Sequence, residues 1–265
     1  MGHQKLSQKG RRNFSLIKQV FASFSRRILN TTQSSQEAET EKPHDECHEV
    51  CSQSKGSYVP LEIPYRLRIL AIADTHMTLQ EDELRKIVET KEIDICLLLG
   101  DIYGTEVETI LRVVPSSVPI CGVLGNHDSW SLHEYYGIPN LHGTVVETKG
   151  VRITGMDGSI RYKNSDVPMY TDQESAEIAK SLPVADLFIS HDSPKNIHGR
   201  SGEAHSGLQG VGDYCVMHSV PLNLHGHHHR NATIVLPNGT TSVCCHGIRY
   251  IDTADITKTF QEGDK

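Results

Sequence analysis

The sequence lacks the features that would assign it to a membrane-spanning or disulfide-stabilised class. No apolar run approaches the roughly 20 residues that a membrane-spanning helix needs. The seven cysteines are odd in number and have no framework spacing, which favours free thiols in a reducing compartment. With 265 residues, 37% of them hydrophobic, the chain has the composition of a soluble protein with one large domain or two small ones. We therefore expect a cytoplasmic protein.

Acidic residues are absent from the first 36 positions, which hold seven Lys or Arg. Residues 1–60 carry nine basic and six acidic side chains, a net charge of +3, whereas the remainder carries 17 and 27, a net charge of −10. The negative charge of the residues after 60 disfavours non-specific nucleic-acid binding, which depends on neutralising backbone phosphates. A phosphorylated substrate is still compatible with it if bound metal ions reverse the local sign of the charge.

Residues 1–60 predict a disordered tail that contains one basic amphipathic helix. Large apolar side chains recur there at steps of three and four: Phe14, Ile17, Phe21, Phe24 and Ile28. Three interpretations fit the helix. It is a solvated tail, or it contacts a membrane surface, a nucleic acid or a protein through residues 11–29, or it targets the chain to an organelle. Cys47 and Cys51 are a weaker candidate for a metal site, since their segment is polar and lacks a structured frame.

Residues 61–265 predict one α/β domain. Apolar runs and amphipathic segments alternate as β-α-β-α-β over 67–73, 80–92, 93–99, 106–113 and 118–124. This alternation predicts a parallel sheet covered by helices. Paired short strands follow around Lys149-Gly150 and Asn238-Gly239, both of which are hairpin signals. Between the two pairs we expect a helix at 172–180, strands at 186–190 and 222–224, and a Gly/Ser-rich loop at 196–212.

Five short motifs hold the residues that can do chemistry, and each follows an apolar stretch. They are Asp74-Thr75-His76, Gly100-Asp101, Gly125-Asn126-His127-Asp128, His191, and Gly226-His227-His228-His229. The carboxyl ends of strands are where open α/β sheets place their sites. Asp, Asn and His together suit Zn, Mn, Fe, Co or Ni. Asp74 and His76 are two residues apart at the end of a predicted strand, so alternation aims both side chains to one side, where they can ligate one ion. His227 and His229 stand in the same relation.

The number of ligand candidates exceeds what one tetrahedral ion needs. Seven such residues suit two ions that share a bridging carboxylate and lie about 3.5–4 Å apart. Such a pair makes hydroxide from water, orients a phosphoryl oxygen and stabilises developing charge. His127 need not be a ligand: it is a candidate to protonate the leaving oxygen, with Asp128 holding its ring in position.

Taken together, the five motifs resemble those of the calcineurin-like metallophosphoesterase superfamily, from about Leu67 to Gly247. The resemblance implies an α/β fold, a four-layered α/β/β/α sandwich with two mixed sheets flanked by helices. It implies that one ion is held by Asp74, His76, Asp101 and His229, and a second by Asp101, Asn126, His191 and His227. The ions would be divalent transition metals, Mn²⁺ first, with Fe, Zn, Co or Ni as alternatives. Small single-domain members are the most similar. Asp128 and Gly104 depart from the protein Ser/Thr phosphatase pattern, so a phosphoprotein substrate is not expected.

The resulting functional hypothesis is hydrolysis of a phosphodiester or phosphomonoester, on a small or nucleotide-like substrate, by in-line attack of hydroxide. His205 and Arg161, which lie in loops, are candidates for substrate contact. His225 and His228 flank the last motif and are expected to support its ligands or to be exposed. Two alternatives stay open: a nuclease aided by the basic N-terminal segment, and a catalytically silent scaffold with the same fold. The oligomeric state is left open.

Overall fold

The computed structural model describes residues 59–198 and 202–256. The predicted basic helix lies outside these residues, so its existence and the boundary at residue 60 stay predictions. Within the described part, no helix is long and apolar enough to cross a membrane.

Twelve strands and five α-helices make up the described part. The strands are β1 (Arg68–Ala73), β2 (Ile95–Leu98), β3 (Ile120–Gly122), β4 (Val146–Thr148), β5 (Val151–Met156), β6 (Ser159–Ile160), β7 (Met169–Tyr170), β8 (Leu187–Ser190), β9 (Leu222–His225), β10 (Ala232–Val235), β11 (Thr241–Cys244) and β12 (Gly247–Asp252). The helices are α1 (Glu81–Thr90), α2 (Gly104–Val113), α3 (Leu132–Tyr136), α4 (Asp172–Ser181) and α5 (Gln209–His218). A 3₁₀ turn spans Glu203–His205.

The strands form two main sheets of mixed direction. The first has the order β12-β1-β2-β3, in which β1, β2 and β3 run parallel and β12 pairs antiparallel to β1. The second has the order β10-β11-β9-β8-β5-β4, with four parallel central strands and an antiparallel strand at each edge. The short strands β6 and β7 form a separate pair.

Side-chain alternation along β1 shows how the first sheet is buried on both faces. Ile69, Ala71 and Ala73 pack in the core between the two sheets. Leu70 and Ile72 point to the opposite face and pack with the helices α1 and α2. Since successive side chains of a strand point to opposite faces, one continuous apolar run supplies both cores.

The second sheet is covered in the same way. In β8, Leu187 and Ile189 enter the core between the sheets, whereas Phe188 packs on the outer face with α4 and α5. The ring of Phe188 stacks on that of Tyr214, with centroids 4.0 Å apart. The order of layers is therefore helices, sheet, sheet, helices, which confirms the four-layered α/β/β/α sandwich.

Most of the predicted elements are present, and the differences have physical causes. Strand β12 was not predicted, because its sequence has no continuous apolar run and its pairing with β1 is a long-range contact. Helix α5 begins inside the predicted loop 196–212, so that prediction was wrong at its C-terminal end. Gly210 disfavours a helix locally, but it allows α5 to approach α4: a Cβ there would lie 2.0 Å from the carbonyl oxygen of Ser175.

Candidate metal centre

The motif residues meet in a pocket of about 610 Å³ at the carboxyl ends of the central strands. β1 leads into Asp74, β2 into Asp101, β3 into Asn126, β8 into His191 and β9 into His227. All of them except His191, which is fully buried, line this pocket. The two sheets therefore bring together residues that are more than 150 positions apart in the chain.

Six of the seven predicted ligands fall into two groups that each place their donor atoms within 4.8 Å of one another. The first, called here the outer cluster, consists of Asp74, His76 and His229. The second, called the inner cluster, consists of Asp101, His191 and His227. The pairing of sequence neighbours expected from strand alternation is therefore wrong for the last motif, since His227 and His229 belong to different clusters.

Backbone conformation explains why strand alternation fails for these residues. β1 ends at Ala73 and β9 ends at His225, so the motif residues lie beyond the strands and alternation does not apply to them. Asp74, Asp101, His227 and His229 have positive φ angles of 51°, 57°, 67° and 48°, a region that non-glycine residues seldom adopt. Such strain is concentrated at functional sites, where the surrounding structure holds it in place.

The carboxylates of Asp74 and Asp101 each accept a hydrogen bond at one oxygen and none at the other. Asp74 Oδ2 accepts a hydrogen bond from the backbone N–H of His227 at 2.7 Å, and Asp101 Oδ1 accepts one from the N–H of His127 at 2.8 Å. Asp74 Oδ1 and Asp101 Oδ2 are buried and have no hydrogen-bond partner. A buried carboxylate oxygen without a partner is costly unless a cation compensates it.

Two histidines of the inner cluster are held by backbone carbonyls. His191 Nδ1 lies 2.8 Å from the carbonyl oxygen of Leu99, and His227 Nε2 lies 2.6 Å from that of Ala204. A ring N–H that donates to a carbonyl leaves the other nitrogen of a neutral imidazole with a free lone pair. This is the usual way in which a metal-ligating histidine is oriented.

Asp101 lies between the two clusters. Its unpartnered Oδ2 is 3.6 Å from His76 Nε2 and 3.6 Å from His191 Nε2. The seventh predicted ligand, Asn126, places its Oδ1 2.9 Å from His191 Nε2, while its Nδ2 donates to the Tyr162 hydroxyl at 3.2 Å. The lone pairs of Asn126, His191 and Asp101 therefore converge on one buried region, as metal ligands do.

The electrostatics of the pocket agree with this donor set. Burial, with a contribution from Asp101, raises the pKa of Asp74 well above its usual value. Burial lowers the pKa of His191 to about 4, and burial together with His76 lowers that of His229 to about 4. A bound divalent cation would stabilise the ionised form of Asp74 and would bind the lone pairs of these neutral imidazoles. The residues present fit a metal pair.

Asp128 has a different role from the one expected. Its Oδ2 accepts hydrogen bonds from the backbone N–H groups of Asp101 and Gly125, at 2.9 and 2.7 Å, and its Oδ1 accepts one from Ile102 at 3.1 Å. With both oxygens bound to backbone amides, Asp128 fixes the turn that carries Asp101 and does not hold the ring of His127. The prediction of an orienting contact between Asp128 and His127 was wrong.

Glu106 fixes the turn that carries His76, a role that sequence reasoning missed. The carboxylate is nearly buried. It accepts hydrogen bonds from the Thr75 hydroxyl at 2.8 Å and from the backbone N–H groups of Leu79 and Tyr103 at 2.9 and 3.0 Å. It thus ties the turn after β1 to the first turn of α2.

The remaining predicted residues differ in where they lie. His127 and His205 line the pocket, and the His205 ring stacks on that of His227 with centroids 4.9 Å apart. Arg161 is not among the residues that line it. Its guanidinium pairs with Glu174 at 3.1 Å and donates to the Met169 carbonyl.

For three further histidines, sequence reasoning was partly wrong or made no prediction. His225 and His228 are fully buried, so the alternative that they are exposed was wrong; His228 Nε2 lies 3.0 Å from the Ser193 hydroxyl. His246 lines the pocket and stacks on His229, with centroids 5.5 Å apart, but was missed. The signal was present, because His246 also follows the end of a buried strand, β11.

Comparison with known families agrees with this geometry. Residues 67–231 match the sequence model of the family described as calcineurin-like phosphoesterase. The chain belongs to this family. An uncharacterised relative from Haemophilus influenzae is 26% identical over 202 residues, which cover 62% of this chain and 84% of the relative.

Several solved structures are similar to this family member. They include the phosphopantetheinyl hydrolase PptH of Mycobacterium tuberculosis, with 11% identity and a TM-score of 0.49 over 69% of this chain and 95% of that chain. A dimetal phosphatase from Danio rerio has 16% identity and a TM-score of 0.48 over 68% and 87%. Vps29 of Entamoeba histolytica, complexed with zinc, has 13% identity and a TM-score of 0.38 over 68% and 74%. At these identities the comparisons carry no information on the substrate.

Proposed function

We propose that this calcineurin-like chain is a dinuclear metal-dependent phosphoesterase. The observation that carries the proposal is the pair of buried, unpartnered carboxylate oxygens on Asp74 and Asp101, each close to imidazole nitrogens. Such an arrangement is unfavourable without cations, and two divalent ions would compensate both carboxylates at once.

The ligand sets follow from the two clusters. One ion would be held by Asp74, His76, His229 and Asp101, and the other by Asp101, Asn126, His191 and His227. Oxygen and imidazole donors without a thiolate suit Mn²⁺, which we propose as the native ion, with Fe, Zn, Co and Ni as alternatives. When bound, such a pair supplies an activated water and positive charge for the phosphoryl oxygens.

His127 would handle the proton of the leaving group. Its backbone N–H is fixed on Asp101, and its ring lies at the pocket wall with its centroid 5.3 Å from that of His76. From there a ring N–H can reach a leaving oxygen or a phosphate oxygen. His205, which faces the same pocket, is the better supported of the two candidates for substrate contact, since Arg161 would first have to leave Glu174.

The proposed substrate is a phosphodiester or phosphomonoester of a small or nucleotide-like molecule. A pocket of about 610 Å³ is in the usual range of about 300–1,000 Å³ for small-molecule sites. Because the body of the chain is acidic, the phosphate would be attracted mainly by the metal ions rather than by protein charge.

Hydrolysis of chromogenic esters tests the proposal. The full chain, stripped with a chelator and reloaded with Mn²⁺, should hydrolyse bis-p-nitrophenyl phosphate or p-nitrophenyl phosphate. His127→Ala should abolish turnover, whereas His218→Ala, a histidine of α5 away from the pocket, should not. If neither ester is hydrolysed with any of Mn²⁺, Fe²⁺, Zn²⁺, Co²⁺ or Ni²⁺, the chain is a scaffold and the proposal is wrong.

The role proposed for residues 1–60 is tested by truncation. Removing them should leave ester hydrolysis unchanged, because no predicted ligand lies there. If residues 11–29 form a membrane-surface helix, the full chain should sediment with anionic vesicles and the truncated chain should not. Equal partitioning of the two forms would exclude that role. Equal affinity of the two forms for single-stranded DNA would exclude a role of the segment in nucleic-acid binding.

A further inference from the structure

A third group of metal-ligating side chains lies outside the metal centre. His198, His225 and Cys244 place one donor atom each within 4.8 Å of one another, and we call them the side cluster. None of them belongs to the five motifs or to the ligand sets of the proposed metal pair. Of the three such groups among the described residues, the side cluster is the one that contains a cysteine.

Strand pairing brings two of these residues together. Cys244 on β11 is the register partner of His225 on the parallel neighbour β9, so both side chains project from the same face of the sheet. That face is the outer one: Leu224, the neighbour of His225, and Cys245, the neighbour of Cys244, both point into the core between the sheets. The side cluster therefore has a fixed frame.

The hydrogen bonds of the side cluster leave donor atoms facing one another. His225 Nδ1 lies 3.0 Å from the Gly226 carbonyl oxygen. If Nδ1 carries the proton and donates it there, His225 Nε2 has a free lone pair, and this atom lies 3.3 Å from His198 Nε2. The Cys244 thiol donates only a long hydrogen bond of 3.7 Å, also to the Gly226 carbonyl.

The three residues of the side cluster differ in their exposure to solvent. His225 and Cys244 are fully buried, whereas His198 is partly buried and comes from the segment that follows His191. Arg230 donates to the His198 backbone carbonyl at 3.2 Å and so ties this segment to the turn after the last motif. An ion would reach the cluster from the His198 side.

We propose that His198, His225 and Cys244 form a separate binding site for a thiophilic divalent ion, Zn²⁺ in the first place. Cysteine sulfur and imidazole nitrogen are both ligands of Zn²⁺, and three protein ligands leave the fourth tetrahedral position to water. As the Zn–S bond forms, the Cys244 thiol releases its proton to solvent. The bound ion would hold β9, β11 and the segment after β8 together, and these elements carry His227 and His191.

Cobalt substitution tests the proposal independently of the metal centre. Co²⁺ bound through a thiolate absorbs by sulfur-to-metal charge transfer in the near ultraviolet, whereas oxygen and imidazole ligands alone do not. The full chain loaded with Co²⁺ should show this absorption. Cys244→Ala should remove it and lower the bound metal by one equivalent per chain, and Cys245→Ala, the adjacent cysteine on the opposite face, should retain it.

Two further variants keep the result unambiguous. His198→Gln changes a partly buried position and so tests the site even if Cys244→Ala folds poorly. It should lower the Co²⁺ affinity of the side cluster, measured by titration of the absorption, at least tenfold. Asp101→Asn should leave it unchanged, so loss of the metal pair is distinguished from loss of the side site. The proposal is overturned if the absorption is absent, if Cys244→Ala retains it, or if it disappears only when Cys47 and Cys51 are both replaced by Ala.

Discussion

The outer and inner clusters are built from the same types of ligand but differ in their access to solvent. In the outer cluster the side chains of His76 and His229 are 27% and 45% exposed. In the inner cluster His191 is 0% exposed and is held by the Leu99 carbonyl. All three residues of the inner cluster are therefore buried, whereas two of the three residues of the outer cluster are partly exposed.

This difference predicts distinct behaviour for the two proposed ions. An ion in the inner cluster would leave only with movement of core residues, so it would exchange slowly. An ion in the outer cluster would exchange with solvent and with added chelator. Variants of the two clusters should therefore separate into those that damage the fold and those that damage only metal affinity.

The largest effect is expected from Asp101→Asn, because Asp101 lies between the clusters. Turnover should fall about 10³-fold, the scale on which loss of one preorganised electrostatic group acts, and both ions should bind more weakly. The metal-free variant should be as stable as the metal-free parent, since Asn keeps the acceptor for the His127 amide and removes an unpaired buried charge. Turnover, metal content and urea unfolding measure this, and turnover within tenfold of the parent would contradict it.

Next in size is the contrast between His191→Ala and His229→Ala. In the metal-free state, His191→Ala should lower the free energy of unfolding by about 4 kcal/mol, because it leaves a cavity and an unpaired Leu99 carbonyl. His229→Ala should change it by about 0.5 kcal/mol or less, as exposed substitutions do. Urea unfolding measures both. The distinction between the clusters fails if the two variants are equally stable.

A third prediction uses His133, a buried histidine outside both clusters. Burial alone lowers its pKa to about 4, below the value of about 6.5 in the unfolded chain. The unfolded state therefore takes up the proton first, and stability is lost as pH falls from about 6.5 to 4, by up to about 3 kcal/mol.

His133→Phe should remove this part of the pH dependence. The difference in unfolding free energy between pH 7 and pH 4.5, measured by urea in the presence of chelator, should be smaller in the variant than in the parent. Equal differences would show that burial of a histidine by itself does not make this fold sensitive to acid.

The smallest effect is expected from Glu106→Gln, which acts on the outer cluster alone. The side-chain amide of Gln would place its own N–H group against the Thr75 hydroxyl and the Leu79 and Tyr103 amides, which now donate to Glu106. This would loosen the segment that carries His76. Affinity for one ion should fall about tenfold, as when a group that supports a metal ligand is lost, while the other ion is unaffected. Titration of metal-free protein with Mn²⁺ measures this; equal weakening of both ions would contradict it.

Much of the fold was predictable from the sequence, because the strands that form the centre of each sheet are apolar on both faces. β1, β2 and β8 were recognised in this way, and the hairpin at Asn238-Gly239 from its turn residues. β12 and α5 were not, because one depends on pairing with a strand almost 180 residues away and the other on close contact between two helices.

The candidate site shows the same limit at the level of single residues. All seven predicted ligands were proposed from the residue types and their order along the chain, and the structure brings them together around one pocket. The role of Asp128 was assigned wrongly and Glu106 was missed, because most of their partners are backbone amides. A backbone amide carries no signal in the sequence.

The sequence by itself determined which residues can bind metal, because Asp, Asn and His side chains carry their ligand chemistry wherever they lie. It also determined the central strands, through apolar runs that must be buried on two faces, and the likeness of its motifs to the family implied the layered fold. Only the tertiary structure decided which backbone groups hold the ligands in place, because contacts between distant parts of the chain carry no signal in the sequence. The amide of His127 holds Asp101, the amide of His227 holds Asp74 from 153 positions away, and the carbonyl of Leu99 orients His191.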